Sequence, residues 1–372
     1  ATLDLPTASP APPELPTAAV AAADLRAALH RFLDNAGTPE QRDMAIRAAA
    51  GLGKSTQALT AIHERGLTVA YFVPSFALAQ ELVDRLPPLS ACAIRGRTHQ
   101  TPDDPPLCAK HEAATALQNA GMGHMTALLL CGKVDPETGK RPCPYAGACG
   151  YLKQFNDPAP IRIYAHEWLS LPERDRRTPQ VAVIDESFRD ALERNYAWEV
   201  ADLFGAGPLY RALACAVVDG TLIEVATANV TAIDAALDVA SATPPNIHPE
   251  MSAGEAVAKL SNKDFADSDR HRLSFLRAVK RAVANNEPLS VWFVDKYWKK
   301  GKEHPATIRA ARTSSIKFVA ADVPRLFLDA SLSPRIVEKV SPDVELLDIA
   351  ARRNARIVQV ADTTLSKHRL GE

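Results

Sequence analysis

Two short runs in this 372-residue sequence carry the residue types that chemistry on a triphosphate requires. Residues 48–56 read Ala-Ala-Ala-Gly-Leu-Gly-Lys-Ser-Thr. A glycine-rich loop ending in Gly-Lys-Ser follows the P-loop pattern G-x-x-x-x-G-K-[ST], with Ala48 in place of the first glycine. Gly51 and Gly53 let the backbone turn tightly and aim successive N–H groups at one phosphate. The helix expected from Lys54 onward points its positive dipole end at the same anion. Ala50, Gly51, Leu52, Gly53, Lys54, Ser55 and Thr56 are therefore candidate ATP-binding residues. Lys54 would reach the β and γ phosphates, and the Ser55 hydroxyl would ligate Mg²⁺. A glycine turn with a chance Gly-Lys-Ser is the bland alternative, and the expected strand before it and helix after it argue against that. Residues 181–188 read Val-Ala-Val-Ile-Asp-Glu-Ser-Phe. Four apolar residues predict a buried strand with two carboxylates at its C-terminal end, where parallel sheets bind ligands. Asp185 would hold Mg²⁺ through water, and Glu186 would polarise the attacking water as general base. Taken alone, the same run also reads as a strand ending in a solvated acidic turn. Together the two runs imply ATP hydrolysis, with Lys54, Asp185 and Glu186 as its catalytic residues.

Four of the six cysteines, Cys108, Cys131, Cys143 and Cys149, fall in one turn-rich segment. Four thiolates can hold a [4Fe–4S] cluster or a structural Zn²⁺. The spacing is long and irregular and lacks the close pairs typical of zinc sites. Iron–sulfur, zinc and four unrelated thiols stay open at this point. Cys92 and Cys215 lie in apolar surroundings and read as buried core thiols. Trp292, Tyr297 and Trp298 interleave with Lys296, Lys299, Lys300 and Lys302. Rings that stack on bases and lysines that meet phosphates could grip single-stranded nucleic acid, and Arg309, Arg312 and Lys317 extend the basic character with the same ambiguity. A hairpin with a buried aromatic face and a basic tip explains the same residues. His166, with no nucleophile nearby in sequence, reads as a satisfied structural histidine.

The elements that must position these residues are those of an α/β protein. Apolar runs predict strands at Met44–Ala48, Thr68–Val73, Ile161–Tyr164, Val181–Ile184, Leu289–Val294 and Arg325–Leu328. Helical spacing falls between them, at residues 19–36, 54–64, 76–86 and over much of 190–285. Such alternation implies a parallel sheet covered on both faces. Residues 1–17, rich in Pro, Ala and Thr, read as a disordered arm or linker. With 47% hydrophobic and 23% charged residues, the composition is that of a globular protein. A formal net charge of −1 excludes a wholly basic nucleic-acid binder, so any such surface must be a local patch. No apolar run is long enough for a bilayer, so no membrane partner is expected. With no export signal in the sequence, reduced cysteines and a cytoplasmic setting are expected.

The loop A-x-x-G-x-G-K-S resembles motif I of superfamily 2 helicases, and Asp185-Glu186 resembles their D-E-x-H motif II. Val69–Leu82 (VAYFVPSFALAQEL) resembles motif Ia, and Arg325–Pro334 (RLFLDASLSP) resembles motif III. Within that superfamily the chain is most similar to the XPD/DinG iron–sulfur helicases, whose cysteine insertion also lies between motifs Ia and II. Arg95-Gly96-Arg97 with Leu107-Cys108, Cys143-Pro144-Tyr145, and Tyr164–Leu169 carry that likeness. It implies a RecA-like P-loop lobe, a cluster at the four cysteines, single-stranded DNA as partner, and a DNA-dependent ATPase. Ser187-Phe188 departs from the family's Ala-His. The implied organisation is a Pro/Ala-rich arm and helix (1–36), the first part of the lobe (37–90) and a Cys-rich insertion (91–158). The lobe then resumes with its acidic motif (159–190), followed by a helical insertion (191–285) and the end of the lobe (286–345). Residues 346–372 resemble the start of a second helicase lobe, cut short. An arginine from such a lobe steadies the transition state in these motors, so weak hydrolysis is expected without it. A phage or plasmid replication origin is an analogy of the same kind. The different-class alternative is a P-loop module that binds ATP as a switch or scaffold.

Overall fold

The computed structural model describes residues 15–38, 41–100, 105–119, 123–171, 177–241, 247–261, 267–287, 290–299 and 301–352. Most of the Pro-rich arm and the tail from residue 353 lie outside these. The chain is mixed α/β, with seven parallel strands at its centre. It divides into two compact units, residues 1–67 with 324–372, and residues 68–323. Among the described residues no helix is long and apolar enough to cross a membrane.

The first unit contains α1 (Ala18–Asp34), β1 (Met44–Ala48) and α2 (Lys54–Arg65). α1 buries Leu25, Leu29, Phe32 and Leu33 at helical spacing, the stripe expected of a helix packed on a core. Near the other end of the chain come Arg325–Asp329 and Glu345–Ile349, the last two strands. Both pair in parallel with β1, which lies between them. One residue anchors that register. The Asp43 carboxylate accepts from the Arg325 backbone N–H at 2.7 Å and from the Ser341 hydroxyl at 2.6 Å.

The second unit holds four parallel strands: β2 (Val69–Val73), β3 (Ala91–Ala93), β4 (Ile161–Ala165) and β5 (Val181–Asp185), in spatial order β5-β2-β4-β3. Every residue of β2, β4 and β5 is buried. Continuous apolar runs of this kind belong to strands covered on both faces. α3 (Phe76–Asp84) follows β2 and is capped by Ser75, whose hydroxyl accepts from Leu78 N–H. Phe72, Tyr164, Trp168 and Phe318 pack as one aromatic cluster with centroid separations of 4.8–5.8 Å.

The stretch expected to be mostly helical is so, except that a strand opens it. Glu193–Glu199 forms β6, and with β7 (Val291–Val294) and β10 (Thr307–Thr313) it makes an antiparallel sheet of order β6-β10-β7. The hairpin β8 (Tyr297–Lys299) and β9 (Lys302–His304) lies between β7 and β10 in sequence. The last two strands of the first unit are then β11 (Arg325–Asp329) and β12 (Glu345–Ile349). Helices 208–219 and 267–285 cover the inner face of the small sheet around Trp198, which is fully buried. Its indole N–H donates to Ser274 Oγ at 2.8 Å. Cys215 corrects the sequence reading. It is exposed, because the helix turns Leu213, Ala214, Ala216 and Val217 inward and leaves it facing out. Cys92 is only half-buried on the short strand β3.

Candidate functional site

In the first unit the loop that follows β1 makes no use of side chains to cap α2. Its N-cap is Gly53, with φ 71° and ψ 33°, and no side chain accepts from the first turn. Gly51 also lies in the left-handed region, at φ 84°. A Cβ at either position would meet nothing within 4 Å. The glycines are therefore required by backbone conformation, not by crowding, and the space in front of the loop is open. Uncapped N–H groups at a helix start, next to that space, make an anion cradle. The loop is held from behind. Gln57 Nε2 donates to Leu52 O at 2.7 Å, Leu52 is buried, and Ala49 N–H donates to Ile349 O at 3.1 Å. Lys54 is 7% exposed, and its ammonium donates to Ala48 O at 3.4 Å. That long contact is weak, and burying an ammonium on it alone is costly unless an anion joins it. Ser55 is half-buried, and Ala50 and Thr56 lie at the two ends of the turn.

In the second unit Asp185 ends β5 and is completely buried. The Tyr71 hydroxyl, from the neighbouring strand β2, donates to Asp185 Oδ2 at 2.8 Å. His166 Nε2 lies 2.9 Å from Asp185 O. His166 is thus a buried histidine with a backbone partner, as expected, and it steadies the turn where the carboxylates sit. Glu186 has φ 67°, a left-handed conformation that costs a non-glycine residue about 1–2 kcal/mol. Strain of this kind concentrates where a side chain must be aimed. Tyr71 was not picked out from sequence. Only strand pairing brings it to Asp185.

The four cysteines do not form one group. Arg97 Nη1 donates to Cys108 Sγ at 3.5 Å and Nη2 to Cys131 Sγ at 3.3 Å. The guanidinium also stacks 4.0 Å above the Tyr151 ring. Cys149 shares a side-chain hydrogen bond with Cys108. That bond, aided by the Arg97 charge, pulls the Cys108 thiol down to about 5, while the same bond and burial push Cys149 up. Cys143 is a free, half-buried thiol. Among the described residues no group of three or more His, Cys, Asp or Glu side chains is placed to hold a metal ion. Soft thiol donors suit iron–sulfur or zinc chemistry, but here the Arg97 guanidinium stands between Cys108 and Cys131. That arrangement does not fit a four-thiolate cluster. The amides and lysine of the loop are donors of the kind a phosphate takes, and the Asp185 carboxylate is of the kind that takes Mg²⁺.

Trp298 on the hairpin is 73% exposed and Trp292 on β7 is 37% exposed, while Tyr297 is half-buried, so no buried aromatic face accounts for the two tryptophans. The Tyr297 ring stacks on His304 at 4.7 Å, and Arg309 donates to the Tyr297 hydroxyl at 3.3 Å.

No protein-family model matches the chain, and none of the curated proteins matches it. Among solved structures it is similar to one titled XPD helicase, with 13% identity over 89% of this chain and a TM-score of 0.35. A second, titled XPD apo, has 12% identity over 88% of this chain and a TM-score of 0.35. The chain spans 62% and 57% of the lengths of these two. A truncated XPD is matched at 12% identity over 87% of this chain and 98% of its own, with a TM-score of 0.33.

Proposed function

We propose that this protein is an ATP-hydrolysing motor lobe of the superfamily 2 helicase type, acting on single-stranded DNA. The observation that carries the reading is the loop before α2, with two left-handed glycines, an uncapped helix start and a buried lysine. Backbone N–H groups of Gly51–Ser55 bind the β and γ phosphates, and Lys54 offsets the charge of the γ phosphate. Ser55 and Asp185 would hold Mg²⁺, which would supply charge neutralisation at the phosphates. Tyr71 holds the Asp185 carboxylate in one orientation. Glu186 accepts the proton of the attacking water.

The test is ATPase rate with and without a single-stranded oligonucleotide, for wild type, Lys54→Ala and Glu186→Gln. Stimulation by DNA that both substitutions abolish supports the motor. Nucleotide binding with no response to DNA would instead mean a P-loop switch or scaffold. Unchanged hydrolysis in Lys54→Ala would remove the reading altogether.

A further inference from the structure

Strands β6 and β10 pair in a register that sets Arg194 directly opposite Arg312. Like charges facing each other across a strand pair destabilise a sheet. The helix 267–285 packs on the same face, through Phe275 and Ser274 against Trp198. It adds Arg277 and Arg281, one helical turn apart. No acidic residue stands at three or four positions from either of them: those places hold Leu273, Ser274, Ala278, Lys280, Ala284 and Asn285. Arg281 is half-buried, and burial together with Arg312 and Arg277 lowers its affinity for its own proton. Among the described residues none of the four has a carboxylate within ion-pair distance. Arg194 donates only to neutral oxygens, to Ser170 Oγ at 2.8 Å and Glu193 O at 3.5 Å. The neighbouring Lys280, by contrast, pairs with Asp234 at 2.5 Å.

A fold gains nothing from four guanidiniums gathered on one edge without a counter-charge. Places where a chain breaks local stability rules in this way are where external ligands bind. Guanidinium is the group best matched to phosphate oxygens. We propose that Arg194, Arg277, Arg281 and Arg312 form a binding site for the phosphodiester backbone of a single-stranded nucleic acid. The opposite face of the same small sheet supports the choice of a nucleic acid over a lipid surface. There Trp292, in register beside Arg309, leaves its indole partly exposed as a platform on which a base can stack. A membrane would need an apolar helix face to insert. The 267–285 helix instead spends Phe275, Leu276 and Val279 in the core. The identity of the strand as DNA rests on the motor reading; the backbone site does not.

The experiment is fluorescence anisotropy of a labelled oligothymidine across a salt series, without nucleotide, for wild type and the double variant R281Q/R312Q. Thermal melting and DNA-free ATPase are measured on the same samples. Each lost charge-assisted contact weakens binding by about tenfold. The slope of log affinity against log salt falls by about 0.7 per contact, so by about 1.4 for two. Melting is expected to hold or rise, since repulsion is relieved, and the DNA-free ATPase to stay as it was. Equal affinity and slope in the variant would overturn the proposal. So would weakened binding that accompanies a lower melting temperature, which would mark these arginines as structural. Arginine-dependent binding of phosphatidylserine vesicles in place of the oligonucleotide would also overturn it. If the oligonucleotide binds as expected while wild type hydrolyses no ATP, the motor reading fails and this site stands.

Discussion

Helix α2 has a glycine in the left-handed conformation at each end, and the pair forms an internal control. Gly53 at the N-cap has φ 71° and ψ 33°, and Gly66 at the C-cap has φ 62° and ψ 28°. A Cβ would meet nothing within 4 Å at either position. Alanine at each site therefore has the same conformational cost, about 1–2 kcal/mol for a left-handed residue. A stiffer unfolded chain offsets about 0.4–1 kcal/mol of that. Both Gly53→Ala and Gly66→Ala should thus lose about 1 kcal/mol in urea unfolding. Their effects on ATP should differ completely. Relaxing Gly53 turns the first N–H groups of α2 away from the phosphates, and losing about 1.4 kcal/mol of binding there is already a tenfold weaker complex. Gly66 is remote from the loop along the helix axis, roughly 18 Å at 1.5 Å per residue. Titration with a fluorescent ATP analogue should show at least tenfold weaker binding in Gly53→Ala and wild-type binding in Gly66→Ala. Equal nucleotide affinity in the two variants, whether both lost or both kept, would refute the argument that loop geometry cradles the phosphates.

Two further outcomes follow from the second unit. Tyr71→Phe removes one donor to a buried carboxylate, and should reduce stability by about 1.5–3 kcal/mol, the worth of a hydrogen bond to a charged group. On the proposed function it should also raise the Mg²⁺ concentration needed for half-maximal ATPase, which a magnesium titration reads directly. The Cys108 thiol gives a pH signature. Its folded value of about 5 lies below its ordinary 9.0, so the stability it contributes is fully present above 9 and is lost as pH falls toward 5. Cys149, shifted the other way, opposes that contribution at the alkaline end. In urea melts the difference between wild type and Cys108→Ser should grow from pH 5 to pH 9, and a flat difference would mean that the Cys149 hydrogen bond and the Arg97 charge do not hold a thiolate.

What could be read from sequence was what chemistry confines to one run of residues. The phosphate loop is contiguous because its backbone amides must converge on one anion, so Gly51, Gly53 and Lys54 stood out with no knowledge of the fold. β2, β4 and β5 were legible because burial on both faces forces unbroken apolar runs, and all three are buried throughout. β6 was not legible. In Glu193–Glu199 only Trp198 is buried, and the strand pairs with β10, more than a hundred residues onward by the numbering. No local period marks such a strand. Edge strands β3 and β12 failed for a related reason, since neither has a fully buried residue. The cysteine segment left iron–sulfur, zinc and unrelated thiols open, because spacing alone does not reveal that Arg97 bridges Cys108 and Cys131.

The same contrast explains why the arginine cluster was invisible beforehand. These four come from two strands and a helix; Arg194, Arg277 and Arg281 look like ordinary solvated charges in their own segments, and Arg312 stood out only as part of the basic stretch with Arg309 and Lys317. Only the β6–β10 register and the packing of the 267–285 helix on Trp198 gather them. With a net charge of −1 over the chain, acidic residues were available to neutralise them. The fold pairs Lys280 and Arg189 with carboxylates close by, yet among the described residues it supplies none to these four. On the proposed site an anion from outside the chain supplies the counter-charge, and the cluster is where nucleic-acid binding should respond most steeply to salt.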